Sequence, residues 1–218
     1  MSATRDAPAI RVYLELGEKK TFASAAGWPG WCRSGKTEQA ALDALAAYAP
    51  RYALVAKLAG VPFPLHATGF EVVERLEGNA TTDFGAPGIP AKDESRPLSA
   101  KEAKQMTDLV AACWAYLDQV VAKSPAALRK GPRGGGRDRD AMFIHVLGAE
   151  VDYAKKIGTR LNEPKDADKA AVRASRKAIL EGMANPNRVE KWPVPYVARR
   201  TAWHALDHAW EMEDRSKP

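Results

Sequence analysis

The chain has 218 residues, enough for one large domain or two small ones around a real core. Its 45% apolar and 28% charged content is that of an ordinary globular protein, and its net charge of +6 is moderate. Two cysteines, Cys32 and Cys113, exclude a disulfide scaffold; the N-terminal segment lacks the apolar run of a secretory signal, and nothing approaches the roughly 18 apolar residues of a membrane span, so a cytoplasmic protein without a membrane partner is expected.

In chain order, the first half reads as α+β. IRVYLEL (10–16) alternates apolar and polar residues, and TFASAAG (21–27) does so more loosely, which predicts two strands joined by the turn LGEKKT. Thr37 is placed to cap a helix in which Ala40, Ala41, Ala44, Leu45 and Tyr48 follow at helical spacing. Pro50 ends or bends that helix, and the pattern resumes to Leu58. GFEVVERLEG (69–78) predicts a further strand that closes a small sheet over the helix.

The stretch WPGWCRSGKTEQAALDAL, with Pro29, Gly30, Gly35, Thr37 and Ala40, resembles the HicB-like antitoxin fold, in which a strand hairpin leads through a Pro-Gly-Cys turn into a helix. One extra residue separates Gly30 from Cys32, and Gln39 stands where that family has Glu. The resemblance covers residues 8–78 and implies a small ββαβ-type domain over 1–78. It does not by itself imply a toxin partner, because this sheet-plus-helix unit is reused in many settings.

GNATTDFGAPGIPAKDESRP repeats Gly and Pro without a period, so residues 79–97 are expected to form a linker. Beyond it, only helical periods survive. Ser99 and Glu102 have capping-box spacing, and Met106, Leu109, Val110, Cys113, Leu117, Val120 and Val121 form an apolar stripe that makes Cys113 a core residue. A second helix over 138–157 would place Ala141, Ile144, His145, Gly148 and Val151 on one face. A third over 167–184 and a fourth over 194–215 are divided by NPNRVEKWPVP. The expected fold class is an α+β N-terminal small domain followed by an all-α four-helix bundle over 98–218.

The segment 129–139 concentrates positive charge in Arg129, Lys130, Arg133, Arg137 and Arg139 against Asp138. Such a loop attracts nucleic acid or small anions. No aromatic residue is interleaved to stack bases and no P-loop pattern is present, which favours a solvated loop and makes nucleic acid an unexpected partner.

WHALDHAWEMEDR (203–215) carries His204 and His208 four residues apart, with Glu211 one turn on. At 100° per residue Val197, Thr201, His204, His208 and Glu211 share one stripe, and Val197 points it inward. His145 joins them from the second helix. A lone inward histidine is most simply a core residue bonded to a carbonyl or water. Three unliganded ones would leave several nitrogens seeking partners, at about 1–3 kcal/mol each if unmet. An i, i+4 pair reaches one ion from a single helix turn, and a third imidazole completes a facial set. His66, in FPLHATG, reads as a surface residue.

With His145 in RDRDAMFIHVLGAE and the pair in AWHALDHAWEMEDR, residues 98–218 resemble the DinB-like superfamily of metal-binding four-helix bundles. That family has one histidine on its second helix and an H-x-x-x-H pair on its fourth. The resemblance implies a divalent ion, commonly zinc or nickel, held by His145, His204 and His208 with open positions. Activities among relatives include thiol-dependent S-transfer and isomerisation with a low-molecular-weight thiol as co-substrate, and many members have none assigned. The family's last helix tends to carry further histidines, whereas Ala209 and Trp210 follow here.

Three neutral imidazoles leave an ion its full charge, suited to activating water for hydrolysis or holding a thiol as thiolate. Glu211 would accept a proton as the catalytic carboxylate or orient a histidine, and surface pairing with Arg200 or Arg215 is its alternative. Asp207, about 60° off His204, is a weaker candidate for orienting a histidine, and surface pairing with Arg200 or Arg215 is the simpler reading of it. Gly148 would leave room beside the ion, or permit close helix packing; Trp203 and Trp210 read as bundle core. The leading reading is a metal-dependent enzyme acting on a small molecule. Its rival is a binding module whose HicB-like domain recognises a protein or nucleic acid, with a structural metal. A third reading is a bundle without a physiological metal, and a homodimer is compatible with any of them.

Overall fold

The first strands follow from their alternation. In the computed structural model, which describes residues 9–65, 69–131, 136–187 and 190–217, β1 (Ile10–Leu16) and β2 (Thr21–Ala25) form an antiparallel hairpin paired from Val12–Ala25 to Leu16–Thr21. β3 (Cys32–Gly35), not foreseen in the sequence, runs antiparallel to β2. Its four residues, CRSG, are too short to show a period. α1 (Glu38–Ala47) and α2 (Ala49–Leu58) then cross over, so that β4 (Phe70–Glu77) returns parallel to β1 and the order is β3-β2-β1-β4. Thr37 Oγ1 accepts the Ala40 N–H at 3.1 Å, which is the expected cap. Pro50 sits in the first turn of α2, where its missing N–H costs no helix bond, so it starts this helix.

Alternate residues commit the two faces of the sheet to different neighbours. Val12, Leu14, Ala23 and Ala25 share a core with Leu45, Tyr52 and Val55 of α1 and α2. On the other face Tyr13 packs with Leu76 and Ala91, and Phe22 and Cys32 pack with Trp203.

Residues 79–97, expected as a linker, are instead a packed strap. It contains α3 (Ala80–Phe84), capped by Asn79, and a 3-10 turn at Lys92–Ser95. The buried Glu15 carboxylate accepts the Thr82 hydroxyl and the backbone N–H groups of Gly88 (2.7 Å) and Ile89 (3.1 Å). Arg199 grips the strap from the far side through a bidentate pair with Glu94, at 2.6 and 2.9 Å, and a 2.8 Å bond to the Ile89 carbonyl.

The C-terminal half is helical: α4 (Ala100–Lys123), α5 (Arg139–Ala154), α6 (Lys169–Met183) and α7 (Val194–Ser216), with short 3-10 turns at Lys155–Ile157 and Lys165–Ala167. Ser99 and Glu102 close the expected capping box, and Met106, Leu109, Val110, Cys113, Leu117 and Val120 are buried. No described helix is long and apolar enough to cross a membrane.

α7 also faces the N-terminal half. Trp203 meets Phe22 edge-on with ring centroids 6.0 Å apart, Trp210 meets Tyr48 at 4.9 Å, and Asp207 accepts from Arg33 at 2.8 Å. One continuous apolar core therefore holds residues of β1, α2, α4, α5 and α7. Gly30 shows how closely the halves approach. Its φ is +92°, and a Cβ there would lie 2.8 Å from Leu206 Cδ1 and 3.1 Å from Cys113 Sγ.

Candidate metal centre

α5 and α7 bring the histidines together. The buried face of α5 is Met142, Val146, Leu147, Glu150 and Val151, with Ile144 and Ala141 outside, so the expected face is rotated by about one residue. His145 consequently lies at the edge of the buried face and is half-buried, as is His208, while His204 is only 8% exposed.

The Nε2 atoms of His204 and His145 are 3.2 Å apart, and the candidate ligand atoms of all three histidines lie within 4.8 Å of one another. Two nitrogens bound tetrahedrally at zinc–nitrogen distances stand about 3.3 Å apart, so the closer pair already has a ligand-like spacing. Among the described residues no carboxylate or thiol joins the group.

Glu211 stands one step out. Its Oε2 lies 3.1 Å from His208 Nδ1, which leaves Nε2 as the nitrogen of His208 without that bond, and its Oε1 accepts from Arg215 at 2.8 Å. Arg215 is itself fixed by the carbonyls of Arg129 (2.6 Å) and Arg137 (2.8 Å). On the other side Arg200 donates to the Pro87 carbonyl and to Tyr153 Oη, and the Tyr153 ring meets His204 edge-on at 6.1 Å. Among the described residues His204 Nδ1 is buried with no hydrogen-bond partner, as is the Thr201 hydroxyl one turn before it.

Burial holds the His204 imidazole well below its ordinary pKa, assisted by the repulsion it would meet, once protonated, from His208, His145, Arg200 and Arg137. Burial also lowers His145, with Arg137 and His208 adding to it and Glu211 opposing. Both are therefore neutral at pH 7, the form a metal ion requires. Glu211 is lowered chiefly by its bond to His208, against burial, with Arg215 contributing. It is held ionised and is a weak base.

These shifts make the metal-free protein acid-sensitive. The unfolded chain takes up a proton at His204 near pH 6.5, whereas the folded chain resists until lower pH. Stability is thus complete above 6.5 and declines as pH falls through that value towards the folded pKa. With chelator present, the urea midpoint should drop between pH 7.5 and 5.5, and His204→Gln should flatten that drop. Equal slopes in the two proteins would show that His204 is not the group responsible.

No protein-family model, curated protein or solved structure matches the chain. The site rests on its own geometry.

Asp207 pairs with Arg33 and lies outside the histidine group. Gly148 faces the Glu163 side chain, whose Oε1 would lie 3.1 Å from an added Cβ, so the glycine makes room for that carboxylate rather than for an ion. Both tryptophans pack towards the N-terminal half. Burial pushes the Cys32 thiol up to about 12, and that of Cys113 upward as well. His66 and Arg133 lie outside the described residues. In the basic segment, Arg129 donates to the Asp214 carbonyl, and Arg139 to Asp140 and the Ser124 carbonyl. Tyr153 and Arg137 reach the histidines through folding that no sequence spacing announces. Arg215 was visible, four residues beyond Glu211.

Proposed function

We propose that His145, His204 and His208 hold one divalent ion, zinc or nickel, and that the protein is a DinB-like metal-dependent enzyme acting on a small molecule by thiol-dependent S-transfer or by hydrolysis. The observation that carries this reading is the 3.2 Å approach of two neutral imidazoles from different helices, with a third nitrogen in reach. α4–α7 would then be the four helices of the bundle, and the N-terminal sheet a HicB-like unit that buttresses α7.

The residues fit such an ion. The donors are uncharged, the site has no fourth protein ligand among the described residues, and two of its three histidines are half-buried rather than enclosed. A divalent ion with an open position supplies Lewis-acid polarisation and lowers the pKa of a water or thiol that reaches it. The chain does the rest. By accepting from Nδ1–H, Glu211 would hold His208 in the tautomer whose Nε2 lone pair is free for the ion, and Arg215 holds Glu211. With both oxygens engaged and its pKa lowered, Glu211 acts as a positioning group more readily than as a proton acceptor.

The rival, a recognition module with a structural ion, needs a closed site. Cobalt-substituted protein separates the two. A small thiol such as 2-mercaptoethanol should produce a thiolate-to-metal charge-transfer band, with apparent affinity rising with pH while the free thiol stays protonated. Glu211→Gln should keep most of its metal. If thiols leave the spectrum unchanged and Glu211→Gln strips the ion, the site is closed and the enzyme reading fails.

A further inference from the structure

α4, α5 and α6 enclose a groove of about 1010 Å³, lined by none of the three histidines. Trp114, Val121, Phe143, Val172 and Leu180 give it an apolar floor. The Arg176 guanidinium lies over the Trp114 and Phe143 rings, at 5.2 and 5.8 Å, and is held by Glu150 and Asp118. The charges around the groove do not cancel. Asp118 is taken by Arg176, Asp140 by Arg139 at 2.7 Å, and Glu181 by Lys177 at 3.8 Å. Lys169 and Arg173, exposed and one turn apart on α6, have no acidic partner among the described residues.

The backbone at the mouth is unusual as well. Ala167 lines the groove with φ +53°, the one non-glycine residue with positive φ among those described. Left-handed alanine is disfavoured, and such strain gathers where a ligand or a switch requires it. Ala167 lies two residues before α6 begins, and Lys169 and Arg173, in the first turns of that helix, line the same groove.

We infer that this groove binds an amphipathic organic anion, a medium-chain or aryl carboxylate. Its apolar body lies on Phe143, Trp114 and Leu180, and its carboxylate meets Lys169 and Arg173. The volume suits one small molecule, since ligand sites run to about 1000 Å³. Two cations without acidic partners among the described residues, on the rim of an apolar floor, select an anion over a neutral or cationic amphiphile.

The full chain titrated with 8-anilinonaphthalene-1-sulfonate, an aryl sulfonate, should show one saturable site by fluorescence. Decanoate should displace the probe and decylamine should not. Lys169→Glu with Arg173→Glu should weaken binding by about tenfold or more through loss of charge-assisted contacts. Ala115→Trp, at an exposed position lining the groove, should block binding without touching the core. Chelating the metal should leave all of this unchanged. Displacement by both amphiphiles, unchanged affinity in the double variant, or a concentration-dependent dimer that hides the groove from the probe would each overturn the assignment.

Discussion

His204→Ala should lower metal affinity by more than the about 10–100-fold that loss of an outer partner costs. His204 is the middle member of the group. Its ring centroid lies 4.9 Å from that of His145 and 4.6 Å from that of His208, and its Nε2 makes the closest approach to a second ligand nitrogen. Without it, His145 and His208 stand on two helices with no donor between them, 5.2 Å apart by centroid. Elemental analysis after dialysis should find about one equivalent of divalent metal in the wild type and little in the variant. A second readout is thermal. A ligand at a hundred times its Kd adds about 2.7 kcal/mol, which for a chain of this size is roughly 5–10 °C in Tm. Zinc should raise Tm of the chelated wild type by that amount and leave the variant unmoved. Comparable metal and comparable shifts in both proteins would remove His204 from the ligand set.

The largest loss of stability should follow Arg199→Met. Arg199 is 4% exposed and Glu94 6%, and the two make a bidentate pair at 2.6 and 2.9 Å. Removing one member of a buried pair strands the other charge, at about 3–5 kcal/mol. Among the described residues Glu94 would keep only the Ala91 N–H, at 2.8 Å, and the Ile89 carbonyl would lose the Arg199 donor. At about 2–4 °C per kcal/mol the Tm should fall by roughly 10 °C. Adding Glu94→Leu should recover part of it, because no charge is then stranded, although the Ala91 N–H and the Ile89 carbonyl lose these partners. A single variant within 1 °C of wild type would mean that the strap is not anchored through this pair.

What the sequence makes legible is what neighbouring residues decide. The Thr37 and Ser99 caps, the α4 stripe and the histidine pair each depend on spacings of three or four residues. The strap between 79 and 97 is illegible because its order comes from afar. Glu15 satisfies Gly88 and Ile89, and Arg199 satisfies Glu94, and nothing in a run of Gly and Pro foretells either. The face of α5 misleads for the same reason: Glu150 looks like a surface residue, yet it is buried against Arg176 of α6. Of the site, the ligand types are legible, and so is the carboxylate one turn on. The Tyr153 wall and the carbonyl clamp on Arg215 arise only when distant segments close on one another.

α7 faces the sheet with one side and carries two histidines on another, and this orders events during synthesis. The sheet strands leave the ribosome well before their cover does. Phe22 waits for Trp203, Arg33 for Asp207, Tyr48 for Trp210 and Arg51 for Asp214. Until α7 arrives, Phe22 and Cys32 on the outer face of the sheet lack the Trp203 ring that covers them. Contacts so far apart in sequence form slowly, because a long loop must close before any of them is rewarded. The nascent chain is therefore most prone to stick to other chains in the interval between the sheet and the last helix, and the step that ends that exposure is the same one that assembles the three imidazoles.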